Sequence, residues 1–174
     1  MKHPLARFTA AAVPMTAALL VGETVALAEP DFPNLDLFVA APAKDYAAGP
    51  DVKYPMLSFT TRTGLHCAIS SSRGSTGASC YGAIPGAGQG VTSVSANDYQ
   101  SGFGTGELTD IDKAALAGRG LPSGQKLTLG PGGRVMGGDQ ITCAVDDSLV
   151  ACVVDRKSGE RRGFVVQPQD SYTF

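Results

Sequence analysis

The chain has 174 residues, of which 17% are charged and 43% hydrophobic, with no tryptophan and a formal charge of −2. That length suits one domain of ordinary size, and a charge so close to zero excludes the basic surface that nucleic-acid binding requires. The departures from usual composition are four cysteines and 22 glycines, glycine standing at nearly twice its usual ~7%.

Residues 1–28 read as a secretory signal peptide. Lys2 and Arg7 give a positive start, the stretch 8–22 is apolar and rich in alanine, and Ala26-Leu27-Ala28 supplies a small-x-small cleavage pattern before Glu29. The apolar run falls short of the ~18–20 residues that span a bilayer, and Pro14 and Glu23 interrupt it. Cleavage after Ala28 removes Lys2, Arg7 and Glu23 from 14 basic and 16 acidic residues, which leaves the mature chain near −3. Residues 29–55 carry Pro30, Pro33, Pro42 and Pro50 without lasting periodicity, and read as an extended N-terminal segment. The compact domain is expected over 56–174.

Within that domain, short apolar runs between glycines favour many strands over long helices. Strands are predicted at 56–61, 65–70, 78–83, 126–129, 140–145, 149–155 and 163–167. The helical signal lies at 109–118, where Thr109 can cap, Asp110 and Asp112 occupy the first turn, and Gly118 follows the end. The basic residues Arg156, Lys157, Arg161 and Arg162 flank Ser158-Gly159, which reads as a solvated hairpin turn. The fold expected is a small all-β domain, an antiparallel sheet or barrel-like structure stapled by two hairpin disulfides, with one short helical candidate.

The staples follow from a repeat. Leu65-His66-Cys67-Ala68-Ile69 is answered by Ile141-Thr142-Cys143-Ala144-Val145, and a second cysteine follows each copy, Cys80 and Cys152. With Asp147-Ser148 as a two-residue turn, Asp146 opposes Leu149 and Cys143 opposes Cys152. Counting out from a hydrogen-bonded 146:149 pair puts the cysteines at a non-hydrogen-bonded site, with α-carbons about 4.5 Å apart, inside the disulfide range of roughly 4.4–6.8 Å. The first copy spans a longer, Ser/Gly/Thr-rich turn over 70–77. Four cysteines allow three pairings. Cys67–Cys80 and Cys143–Cys152 each close within one hairpin, and crosswise pairing of the two repeats stays open on sequence alone.

These residues carry a resemblance. The stretch from Phe59 to Cys67, the Cys80 turn, Leu121-Pro122-Ser123-Gly124-Gln125, the Cys143…Cys152 pair and the terminal Gly163-Phe164…Tyr172-Thr173-Phe174 together resemble a family of small exported actinobacterial proteins of mycobacterial type. The family's first motif reads like Phe-x-Ser-Pro-Ser-Gly-Asn-Ile-x-Cys. Here Thr61-Arg62-Thr63-Gly64-Leu65-His66-Cys67 keeps the glycine, the apolar residue and the cysteine but lacks the proline and asparagine. Many members hold a further cysteine pair in mid-chain, absent between Cys80 and Cys143. The resemblance covers 56–174 and implies export and an all-β fold, with a strand where the helical candidate lies. It brings no catalytic residue.

Chemistry is sparse. His66 is the only histidine left after cleavage and precedes Cys67 directly; strand neighbours face opposite ways, so a core-facing Cys67 turns His66 outward. No Gly-x-Ser-x-Gly setting surrounds a serine. One histidine and four paired cysteines leave no zinc set. The glycine runs at 130–133 and 137–138 lack a following Gly-Lys-Ser/Thr. No catalytic, cofactor-binding or metal-ligating residue is assigned, and no cofactor is expected.

Two function classes survive. One is an exported, non-catalytic binding module of the cell envelope or extracellular space, with an unidentified partner there, no nucleic acid and no transmembrane span after signal cleavage. The other is a small secreted hydrolase acting on envelope glycan or peptide through a carboxylate pair. Convergence of two acids among Asp98, Glu107, Asp110, Asp112, Asp139, Asp146 and Asp147 in one cleft separates them.

Overall fold

Alternation of apolar and small or polar residues around each cysteine dictates the architecture, because period-2 side chains divide a strand into a core face and an outer face. The computed structural model describes residues 32–48, 55–71, 76–108, 116–130 and 139–174. Eleven strands occur among them: β1 (Val39–Ala40), β2 (Met56–Thr60), β3 (His66–Ser71), β4 (Thr76–Tyr81), β5 (Ser93–Asn97), β6 (Ser101–Gly104), β7 (Gln125–Leu129), β8 (Gln140–Val145), β9 (Val150–Asp155), β10 (Arg161–Val166) and β11 (Tyr172–Thr173). They form a five-stranded sheet, β2-β3-β4-β5-β6, and a six-stranded sheet, β1-β7-β8-β9-β10-β11. The all-β expectation holds. The two sheets lie face to face, β4 against β8 and β9 and β5 against β9 and β10, and no closed barrel forms among the described residues. Of the helical candidate, 109–115 lies outside the described residues.

Both hairpin staples are present. Cys67 is bonded to Cys80 and Cys143 to Cys152, each pair with α-carbons 4.1 Å apart. The register of the second hairpin is the one its turn demands: Asp146 N–H donates to the Leu149 carbonyl at 2.8 Å, Leu149 N–H donates back at 3.3 Å, and Cys143 faces Cys152. All four cysteines are fully buried, in one core cluster with Phe59, Leu65, Ile69, Leu127, Ile141 and Phe164.

Aligning the bridges shows that the cysteine repeat extends through the whole fold. One row across the inner face of the first sheet runs Phe59–Cys67–Cys80–Val94–Phe103. The corresponding row of the second sheet runs Leu127–Cys143–Cys152–Phe164–Thr173. Each sheet is thus a five-stranded antiparallel meander, stapled between its second and third strands. In each, the edge of the first strand receives a segment running parallel to it: Val39–Ala40 beside Gln125–Lys126, and Gly120 beside Thr60.

Of the described part of the N-terminal segment, 32–41 is held against the second sheet, whereas Ala47 pairs with Leu57 of β2. The Phe32 ring meets the Phe174 ring edge-on at 5.3 Å between centroids and lies 5.5 Å from the Arg161 guanidinium. Lys126 Nζ donates to the Leu35 carbonyl at 2.7 Å, and Val39 N–H donates to the Gly124 carbonyl at 2.9 Å. Arg161 stands on β10 and Lys126 on β7, both on the outer face, so residues 32–38 cross that face as a strap. Farther on, Tyr46 is buried and its hydroxyl lies 3.4 Å from the Gly120 carbonyl. The compact unit accordingly spans Phe32–Phe174.

The staples close loops with sequence separations of 13 and 9, for which the chain-entropy model gives about 3 kcal/mol each. Replacing both Cys143 and Cys152 by alanine is expected to lower stability by roughly 2–4 kcal/mol in urea unfolding, with the strand signature of far-ultraviolet circular dichroism retained below the new midpoint.

Candidate functional site

The outer faces of the two meanders share a backbone plan and differ in side chains. In the second sheet the outer positions include Ala144, Ala151, Val153 and Val165, all buried on the face the strap crosses. The equivalent outer positions of the first sheet, counted from the cysteines, are Ala68, Ser79, Tyr81 and Ser95. They are only partly buried. Small side chains around a single large ring leave space, and three of the four clefts described lie here.

Two adjoining clefts flank Tyr81. One, of about 310 Å³, is lined by His66, Tyr81, Thr92, Glu107 and Leu108 among others. The second, of about 400 Å³, includes Met56, Ser79, Tyr81, Glu107, Leu108 and Leu116. Tyr81, Glu107 and Leu108 belong to both, so the two form one groove with Tyr81 in its floor and Glu107 and Leu108 on its rim. A third cleft of about 270 Å³ continues along the face, over Ser93, Ser95 and β6. Each is near or within the size range of small-molecule sites, roughly 300–1,000 Å³.

Local sequence explains the placement. His66 precedes Cys67 and Tyr81 follows Cys80, so when the cysteines face the core both neighbours turn outward and stand opposite each other across the hairpin. His66 does turn away from the core, yet it is half-buried in the cleft wall and not simply exposed on a strand. Its Nδ1 lies 3.5 Å from the Leu116 carbonyl oxygen, to which it donates when that nitrogen is protonated. Leu116 and Gly118 belong to the segment that crosses back to β2. Gly118 passes so close that a Cβ there would fall 2.4 Å from the Ser58 carbonyl oxygen, so only glycine fits this approach. On the other wall, Gly106 N–H donates to Ser93 Oγ at 3.2 Å and Thr92 Oγ1 donates to the Gly106 carbonyl at 3.0 Å. These two bonds fix the stretch that presents Glu107.

The described acids do not gather in the groove. Among the described residues Glu107 is the single carboxylate lining it. Asp146 accepts from Ser123 Oγ at 2.6 Å and from Asp147 N–H at 2.9 Å, bonds that hold its carboxyl below the ordinary range; Asp147 pairs with Arg62 at 2.7 Å. Asp110 and Asp112 lie outside the described residues. Asp98 and Asp139 are close enough to interact, at the end of the sandwich where Asp98 Oδ2 accepts from Thr76 N–H and Asp139 Oδ1 from Lys157 N–H. Among the described residues, none of the four clefts is lined by two carboxylates. Among the described residues no three His, Cys, Asp or Glu side chains group as metal ligands, and no helix is long and apolar enough to cross a membrane.

The three arginines of the basic run are paired within their own hairpin. Arg156 bonds Glu160 at 2.6 Å, Arg162 bonds the other oxygen of Glu160, and Arg161 bonds Asp155 at 2.7 Å. The bond from Arg156 and the Arg162 charge hold the Glu160 carboxyl below its usual range. That is the solvated turn expected from Ser158-Gly159.

Asp98 behaves oppositely. Burial pushes its carboxyl above the ordinary 3.8 and the Asp139 charge adds to that, against the Thr76 N–H and Arg156, which lower it; its Oδ1 is buried without a partner among the described residues. A carboxyl whose folded-state pKa is raised costs stability when ionised, and the cost vanishes as pH falls through the raised value to the unfolded one. Asp98→Asn is therefore expected to raise the melting temperature at neutral pH, with the gain shrinking as pH falls into the carboxylate range. Thermal melts across that range check it, and a loss at neutral pH would show that attraction to Arg156 dominates.

Compared with family models, with curated proteins and with solved structures, the chain matches none.

Proposed function

We propose that this chain is an exported, non-catalytic binding module of the cell envelope or extracellular space, akin to the small exported actinobacterial proteins its cysteine pattern resembles, and that the Tyr81 groove is its binding surface. The observation that carries the reading is the contrast between the two outer faces. Among the described residues, one is crossed by the chain's own segment, whereas the other keeps a groove around an aromatic ring.

Export is supported by the leader pattern before Glu29 and by two disulfides with no free cysteine, since such bonds persist in oxidising compartments. Binding without catalysis is supported by the scatter of the described acids. A carboxylate hydrolase positions two such groups across one bond, and among the described residues the groove has Glu107 alone.

The test uses the mature protein, 29–174, incubated with isolated envelopes of the producing cell and sedimented. The wild type is expected to co-sediment, and Tyr81→Ala to weaken retention at least about tenfold, as truncation of a central aromatic contact does, with little change in melting temperature. Undiminished retention of the Tyr81→Ala protein would move the binding surface elsewhere. Release of soluble fragments from the envelopes, abolished by Glu107→Gln, would replace binding by hydrolysis.

A further inference from the structure

The comparison of the two meanders also bears on what the groove takes, an inference that rests on the binding reading above. Position by position, Val153 of the covered face is replaced by Tyr81, Val165 by Ser95, Ala151 by Ser79, and Phe174 by Gly104. Apolar bulk has given way to hydroxyls and to empty volume. A ligand that fills this volume meets hydroxyl groups and one aromatic ring where the chain's own strap meets alkyl and aryl groups.

Charge narrows the class further. Among the described residues no lysine or arginine lines the two clefts beside Tyr81, and the one basic side chain there, His66, is turned to the Leu116 carbonyl. Backbone geometry disfavours a peptide strand. Peptides that extend a sheet bind along an edge, where unpaired N–H and C=O groups form a ladder. The groove floor is β3, β4 and β5, each paired on both sides, which leaves only side chains to read a ligand. Those are the hydroxyls of Ser79 and Tyr81, with Ser95 next across the strands, the Glu107 carboxylate, and the apolar surfaces of Leu108, Leu116 and the Tyr81 ring. None of the Ser79, Ser95 and Tyr81 hydroxyls hydrogen-bonds to a described residue. Hydroxyl edges alternating with apolar C–H faces, without formal charge, are the chemistry of a sugar. We propose that the Tyr81 groove binds a neutral saccharide chain, held by the ring against a C–H face and by the serine hydroxyls and Glu107 along the hydroxyl edge.

The experiment titrates the isotope-labelled mature protein with maltohexaose, cellohexaose, chitohexaose and mannohexaose, each followed by amide shifts. A neutral Gly/Ser/Thr hexapeptide serves as the competing arm. At least one hexasaccharide is expected to shift the amides of His66, Ser79, Tyr81 and Ser95 saturably. Tyr81→Ala should weaken that binding tenfold or more, and Tyr81→Phe, which keeps the ring, only a few-fold. Absence of saturable shifts at those residues with all four sugars overturns the proposal, as does saturation by the hexapeptide alone. In either case Tyr81-dependent retention on envelopes would leave the binding reading standing, and loss of both would remove it as well.

Discussion

Everything in this molecule is referenced to two buried cross-strand bridges. A disulfide between directly opposed residues fixes which residue faces which, and side chains alternate with a period of two, so a slip of one residue would turn each meander inside out. With Cys67 locked to Cys80 and Cys143 to Cys152, Ile69, Val94, Ile141 and Phe164 are committed to the core, and His66 and Tyr81 to the outside. The energetic weight is comparable to the task. About 3 kcal/mol from each bridge is a large share of the roughly 5–15 kcal/mol that holds an ordinary domain folded. A chain without tryptophan and with 22 glycines in its 174 residues has a modest core to supply the remainder.

From that common frame the two meanders diverge on their outer faces. The second sheet carries valine, alanine and aromatic side chains outward and is crossed by residues 32–38, tied down by Phe32 at one side and by the parallel pairing of β1 at the other. The first sheet presents Ser79, Tyr81 and Ser95 outward, and Gly120 pairs beside Thr60 at its β2 edge. Each half of the chain thus begins with a segment that reaches to the other half's sheet: 32–40 to β7, and 116–120 to β2. The function we propose rests on a contrast between two equivalent faces: residues 32–38 cross one, and among the described residues the other keeps a groove.

Much of the frame was legible in the sequence because it rests on local rules. The seven predicted strands coincide with β2, β3, β4, β7, β8, β9 and β10 to within two residues at each end, and the two-residue turn at Asp147-Ser148 fixed the second bridge. The strands that escaped notice were β5 and β6. In Ser93-Val94-Ser95-Ala96-Asn97 the alternation is present, but its inward residues are only valine and alanine, and in Ser101-Gly102-Phe103-Gly104 one inward side chain remains. Strand β1 consists of two residues whose pairing lies 86 positions away, a contact no local pattern encodes. The groove was half legible. Outward orientation of His66 followed from Cys67, and the same step applied to Cys80 places Tyr81 opposite it. The cleft itself depends on Gly106, Leu108 and Leu116 returning over the sheet, a tertiary event without a local signature.

The frame stands or falls on the bridges, and non-reducing peptide mapping of the mature protein tests it most directly. The account predicts one peptide pair joined through Cys67 and Cys80, another through Cys143 and Cys152, and no free thiol. A peptide joining Cys67 to Cys143 would mean that the two repeats clasp each other. The matched rows, the opposite outer faces and the Tyr81 groove would then have to be abandoned together.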